Sequence, residues 1–97
     1  MKLRYTLRGA TELDEVLADL AQKSPQGARR VQMRIREIIN LLLRHSYAGR
    51  LTTKGRLRRV GAHPYPYLIF YPATEDAVVI HAVRHSARNP SSMPGSG

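Results

Sequence analysis

Tyr65-Pro66-Tyr67-Leu68-Ile69-Phe70-Tyr71, then Pro72-Ala73-Thr74-Glu75-Asp76, then Ala77-Val78-Val79-Ile80-His81-Ala82-Val83-Arg84-His85-Ser86-Ala87-Arg88 is the stretch that decides the fold. Its two outer runs are rich in β-branched and aromatic residues, and the break between them holds turn formers and two acids. That pattern predicts a strand, a turn and a strand. The second run leaves its apolar segment and ends in Arg84, His85 and Arg88, so its basic tip is the first candidate for a working surface.

Working outward, Leu57 to Ala62 reads as a further strand, with Arg56, Arg58 and Arg59 at its start. His45 to Gly55 is polar and contains Gly49 and Gly55, which predicts a loop. Upstream, Ser24-Pro25 is a helix start, a serine cap followed by proline at the first helical position. Ala28, Val31, Ile35, Ile38 and Leu42 then recur at steps of three and four, and Ile39 and Leu43 widen the stripe. The helix is expected from Pro25 to Arg44, about 30 Å long. An earlier helix is expected to begin at Glu12 behind a Thr11 cap and run to Gln22. Leu13, Val16, Leu17 and Leu20 form its apolar face, and Glu12, Asp14 and Glu15 suit the positive end of its dipole. Arg8-Gly9-Ala10 reads as a turn, and Lys2 to Thr6 as a short strand.

The order strand, helix, helix, strand, strand, strand predicts an α+β domain. An antiparallel helical hairpin packs on one face of a three-stranded antiparallel meander. Apolar residues of both parities in the last run (Val78, Val79, Ile80, Val83) predict that the second sheet face is partly covered too. One domain spans residues 1–90, and residues 91–97 form a tail too poor in apolar side chains to order itself.

Composition narrows the function. The chain has 97 residues and a formal charge of +9, and thirteen of its sixteen basic residues are arginine. Such a field favours acidic partners, and arginine suits bidentate contacts to carboxylate or phosphate. Charge is uneven: four of the seven acids lie between Glu12 and Asp19, while Gln26 to Arg59 holds ten basic residues and one acid. There is no cysteine, which excludes disulfides and thiolate metal sites and fits a reducing compartment. No apolar run approaches the ~18–20 residues of a membrane span. His81 and His85 share strand parity but stand about 13 Å apart along a strand, too far to ligate one ion. Neither a nucleophile elbow nor a phosphate loop is present, and no cofactor is implied. Metal-free RNA cleavage needs a proton acceptor and cations for the phosphorane charge. His85, Arg84, Arg88, Arg58 and Lys54 are the right types. The plainer alternative is that His85 closes a strand end and the arginines bind carboxylates.

The chain resembles the ParE branch of the RelE/ParE toxin superfamily, the stable toxins of bacterial toxin–antitoxin pairs. The resemblance runs from Leu3 to Pro90. It rests on Glu12-Leu13 with Val16, on Pro25-x-x-Ala28-x-x-Val31-x-x-x-Ile35, and on His45-Ser46-Tyr47-Ala48-Gly49-Arg50. It continues through Arg58 ahead of the Tyr65–Tyr71 strand and ends in Val83-x-His85-x-x-Arg88-x-Pro90. Ser46 stands where proline is usual, and Gly9 where alanine is common. The resemblance implies a cytoplasmic bacterial toxin. Its expected partner is a cognate antitoxin, a ribbon-helix-helix protein with an acidic C-terminal segment. Its expected target is DNA gyrase, with trapped DNA breaks. The other branch implies ribosome-dependent mRNA cleavage. Leu68 occupies the position of that branch's middle-strand arginine, and no tyrosine follows Arg88, so the resemblance favours a protein inhibitor over an enzyme. Arg58, Arg59, Arg84, His85 and Arg88 are the expected target- or partner-binding residues, and His85, Arg88 and Arg58 the catalytic ones if RNA is cut.

Overall fold

Residues 1–87 are described by the structure, a computed structural model. The expected tail and Arg88 lie outside the described residues. The elements are β1 (Lys2–Tyr5), α1 (Leu7–Lys23), α2 (Pro25–Arg44), β2 (Arg50–Leu51), β3 (Leu57–Gly61), β4 (Tyr67–Pro72), β5 (Ala77–Ile80) and β6 (Ala82–His85).

The second helix forms as its stripe dictates. Ser24 caps it, accepting from the Gly27 N–H at 3.0 Å, and Ala28, Val31, Ile35, Ile38, Ile39 and Leu42 are buried. Val31, Ile35, Ile38, Ile39 and Leu42 join Ile69, Tyr71, Val78, Ile80 and Val83 of the strands in one core, and Leu13, Val16, Leu17 and Leu20 of α1 close it from the side.

The first helix starts earlier than its sequence predicts. Thr6, not Thr11, is the cap, and Arg8-Gly9-Ala10 is helical rather than a turn. Thr6 is the better cap because it ends β1. Its N–H donates to the Ile80 carbonyl at 3.0 Å while its hydroxyl accepts from the Gly9 N–H at 3.0 Å. Glu12 therefore sits beyond the first turn, where the helix dipole no longer decides its role. Gly9 is needed because α1 meets the end of β5 here: a Cβ on Gly9 would stand 2.2 Å from the Ile80 carbonyl oxygen. Gly9→Ala must push the helix off β5, and we expect a loss of about 1–3 kcal/mol in a urea unfolding titration.

The sheet follows the expected meander with two differences. β3, β4 and β6 are consecutive antiparallel neighbours, and Arg50–Leu51 of the expected loop adds a short strand, giving the order β2-β3-β4-β6. The run Ala77–His85 is not one strand. It breaks at His81, because β5 pairs in parallel with β1 while β6 pairs with β4. Tyr65 stands in the turn before β4 rather than within it. Ile69 and Tyr71 face the helices, whereas Leu68 and Phe70 face away. On that second face Phe70, 1% exposed, is buried with Leu57, Ala82 and Leu68.

Candidate interaction surfaces

Arg84 was expected at a basic tip, but the fold takes it inside. It is 5% exposed, and its Nη2 lies 2.9 Å from Oε2 of Glu12. The other oxygen of that carboxylate accepts the Val83 N–H at 3.0 Å. The Val83 N–H points away from β4, along the open edge of β6, so Glu12 closes a strand edge and neutralises a buried cation at once. Arg8, on the exposed side, approaches Oε2, the oxygen that Arg84 holds, at 3.7 Å. Arg84 thus ties α1 to the sheet and presents no cation to a partner.

His85 is exposed, and among the described residues its groove holds more acids than cations. Its ring meets Tyr67 edge-on, with centroids 5.4 Å apart, and its Nδ1 accepts the Ala87 N–H at 3.0 Å. The accepting nitrogen of the neutral ring is therefore occupied. The groove beside it, about 280 Å³, is lined by Glu12, Glu15, Asp19 and Lys23 with Val16 and Tyr67. With Glu12 paired to Arg84, Glu15 and Asp19 outweigh Lys23 along this groove and disfavour the approach of a phosphodiester.

Arg58 is also committed. Its Nη1 donates to the Tyr47 carbonyl at 3.1 Å and the Gly49 carbonyl at 2.7 Å, and its guanidinium lies 5.0 Å from the centre of the Tyr47 ring. Beneath it, the buried Tyr71 hydroxyl accepts the Gly49 N–H at 2.8 Å and donates to the Ser46 carbonyl at 2.9 Å. These bonds fasten the His45–Arg50 loop to β4. A side chain at Gly49 would sit 2.5 Å from that hydroxyl oxygen. Tyr47, Gly49 and Tyr71 escaped notice as a unit because only the folded register brings the loop over β4.

Burial raises the Tyr71 hydroxyl above its ordinary 10.0, against the opposing pull of the Gly49 hydrogen bond and Arg58. Tyr5 and Tyr67 are raised as well, chiefly by burial. An acid whose folded pKa exceeds its unfolded one binds more protons when folded. Its contribution is complete below pH ~10 and is lost as pH rises through the folded value. We therefore expect unfolding midpoints to fall above pH ~10, and to fall less steeply in Tyr71→Phe, in thermal melts across an alkaline series.

Arg59 faces away from the helices, paired across strands with Phe70 and with Arg50. The expected site residues are therefore not one cluster: Arg84 is interior, Arg58 is engaged by the loop, His85 borders an acidic groove, and Arg59 opens onto the far sheet face. On the other side, Leu3, Tyr5, Leu13, Leu17 and Arg36 line an apolar groove of about 380 Å³ beside β1. Leu3 and Tyr5 are each 39% exposed there, and β5 is the only strand paired with β1 among the described residues. No helix of the described residues is long and apolar enough to cross a membrane.

Comparison with known proteins agrees with this architecture. Residues 3–90 match the family profile described as the ParE toxin of type II toxin-antitoxin system, parDE. Toxin RelE2 of Caulobacter vibrioides is 32% identical over 84 residues, covering 87% of this chain and 93% of the relative. A solved chain of the chromosomal ParDE TA system from P. aeruginosa superposes with a TM-score of 0.73 at 19% identity, over 88% of this chain and 95% of that one. At that identity the likeness speaks for the fold alone.

Proposed function

This chain belongs to the ParE toxin family of type II toxin–antitoxin systems, and from that premise we propose that it arrests bacterial growth in the cytoplasm by inhibiting DNA gyrase. The observation that carries this reading is the surroundings of His85. Its accepting nitrogen is engaged by Ala87, and Glu12, Glu15 and Asp19 line the groove beside it. Leu68 adds support, because the centre of the middle strand packs into an apolar cluster and offers no cation for a phosphorane.

A cognate antitoxin neutralises the toxin in this reading. The groove beside β1 suits an amphipathic helix, the open β1 edge suits an added strand, and the +9 charge speeds encounter with an acidic segment.

One alternative is ribosome-dependent mRNA cleavage through His85, Arg88 and Arg58, the activity that resemblance to the RelE branch implies, and the Caulobacter relative is named Toxin RelE2. Induced expression without an antitoxin separates the two. Gyrase inhibition gives chromosomal breaks with message ends unchanged. New message ends that His85→Ala abolishes, with the chromosome intact, would replace it with RNA cleavage.

A further inference from the structure

The sheet face opposite the helices carries a cation arrangement that no carboxylate of the described residues pairs with. Register places Arg50 directly opposite Arg59, and the same row continues through Phe70 to Ala82. Like charges directly opposed on adjacent strands cost stability. Beside the row, Arg8, Lys54, Arg56 and His81 rim a groove of about 520 Å³ floored by Leu57 and Pro72. Among the described residues the carboxylate ion pairs involve Arg8, Arg34 and Arg84, and none reaches Arg50, Lys54, Arg56 or Arg59. Arg50, Lys54 and Arg56 are exposed, and Arg59 is half-buried. Glu75 and Asp76 border Arg56 from a neighbouring depression, so the positive centre lies toward Arg50 and Arg59.

We propose that this face docks on the backbone phosphates of duplex DNA, with Arg50 and Arg59 at its centre. The opposed arginines are what a phosphate between them would relieve. A single strand is the poorer fit, because stacking needs an open aromatic face. Phe70 and Tyr71 are 1% and 0% exposed, and Arg58 covers one face of the Tyr47 ring. Nothing here reads base edges, so binding is sequence-independent and salt-sensitive. The proposal extends the gyrase reading to the DNA that enzyme holds, but its test needs no gyrase.

The test is fluorescence anisotropy of a short labelled duplex titrated with the full chain across a salt series. Wild type binds with a log–log salt slope of about −0.9 per phosphate contacted. R50Q/R59Q lowers affinity by about tenfold or more and removes about two contacts from the slope. Its melting midpoint stays level or rises, since an opposed like-charge pair is gone. The control R29Q/R30Q loses the same charge from the exposed side of α2 and changes affinity less than about threefold. Equal losses in the two variants would overturn the assignment, as would tighter binding of a single-stranded oligonucleotide. So would Arg50- and Arg59-dependent binding of poly-glutamate that matches the duplex, which would make the occupant an acidic polypeptide. A chain that inhibits gyrase yet shows no duplex affinity loses this proposal alone, and one that binds duplex but spares gyrase loses only the function above.

Discussion

Glu12→Ala is expected to destabilise the fold by about 3–5 kcal/mol, the scale on which removing one partner of a buried ion pair costs. The carboxylate it removes lies 2.9 Å from the Arg84 guanidinium and takes the Val83 N–H at 3.0 Å. Both partners lie on β6, so the change loosens α1 from the sheet as well as removing the Glu12 carboxylate from Arg84. For a domain whose total stability is of order 5–15 kcal/mol, the variant should be marginal. Urea denaturation followed by circular dichroism measures the loss. A second variant shows whether the ion pair is responsible: Glu12→Leu with Arg84→Met removes both charges and should recover most of the loss, because apolar replacement of a buried pair is often near neutral. A double variant as unstable as Glu12→Ala would assign the effect to packing or to the Val83 hydrogen bond instead.

Tyr71→Ala should cost a similar amount, about 3–5 kcal/mol, as expected when a large buried ring is truncated. Tyr71 is 0% exposed and belongs to the main core, so its ring and its hydroxyl contribute separately. Tyr71→Phe keeps the ring and removes the two hydrogen bonds to Gly49 and Ser46. That should cost about 1–3 kcal/mol, because the Gly49 N–H and the Ser46 carbonyl lose a buried partner. Hydrogen exchange at Gly49 should accelerate in Tyr71→Phe while amides in the middle of α2 keep their protection relative to global stability. Equal acceleration throughout would mean that the loop has no local stability of its own to lose.

What could be read from sequence was whatever depends on neighbours. The stripe from Ala28 to Leu42 needs only helical periodicity, and the core contains it residue for residue. The turn at Pro72–Asp76 is likewise local, and Thr74 closes it by accepting the Ala77 N–H at 3.0 Å. What depends on distant pairing was hidden. Thr6 and Thr11 are equally good caps in isolation, and the choice is made by Ile80, which holds Thr6 at the end of β1. The apolar run Ala77–Val83 looks continuous, but β1 and β4 claim its two halves. Arg84 reads as a surface cation because its carboxylate belongs to a residue 71 positions from its neighbour Val83. Motif order revealed the family, since each motif follows from the same local elements. Charge balance at the tip did not, because the acids of α1 fold against it. Arg50 stands in a family motif but not among the expected site residues, because its place opposite Arg59 exists only once β2 has formed.

The central claim, that the toxin acts on gyrase, is tested most directly with the purified folded chain, DNA gyrase, ATP and relaxed plasmid. Loss of supercoiling together with accumulation of gyrase-linked cleaved plasmid, both relieved by the cognate antitoxin, is the expected result. Unimpaired supercoiling with no cleaved plasmid, at toxin in excess over gyrase, would contradict it.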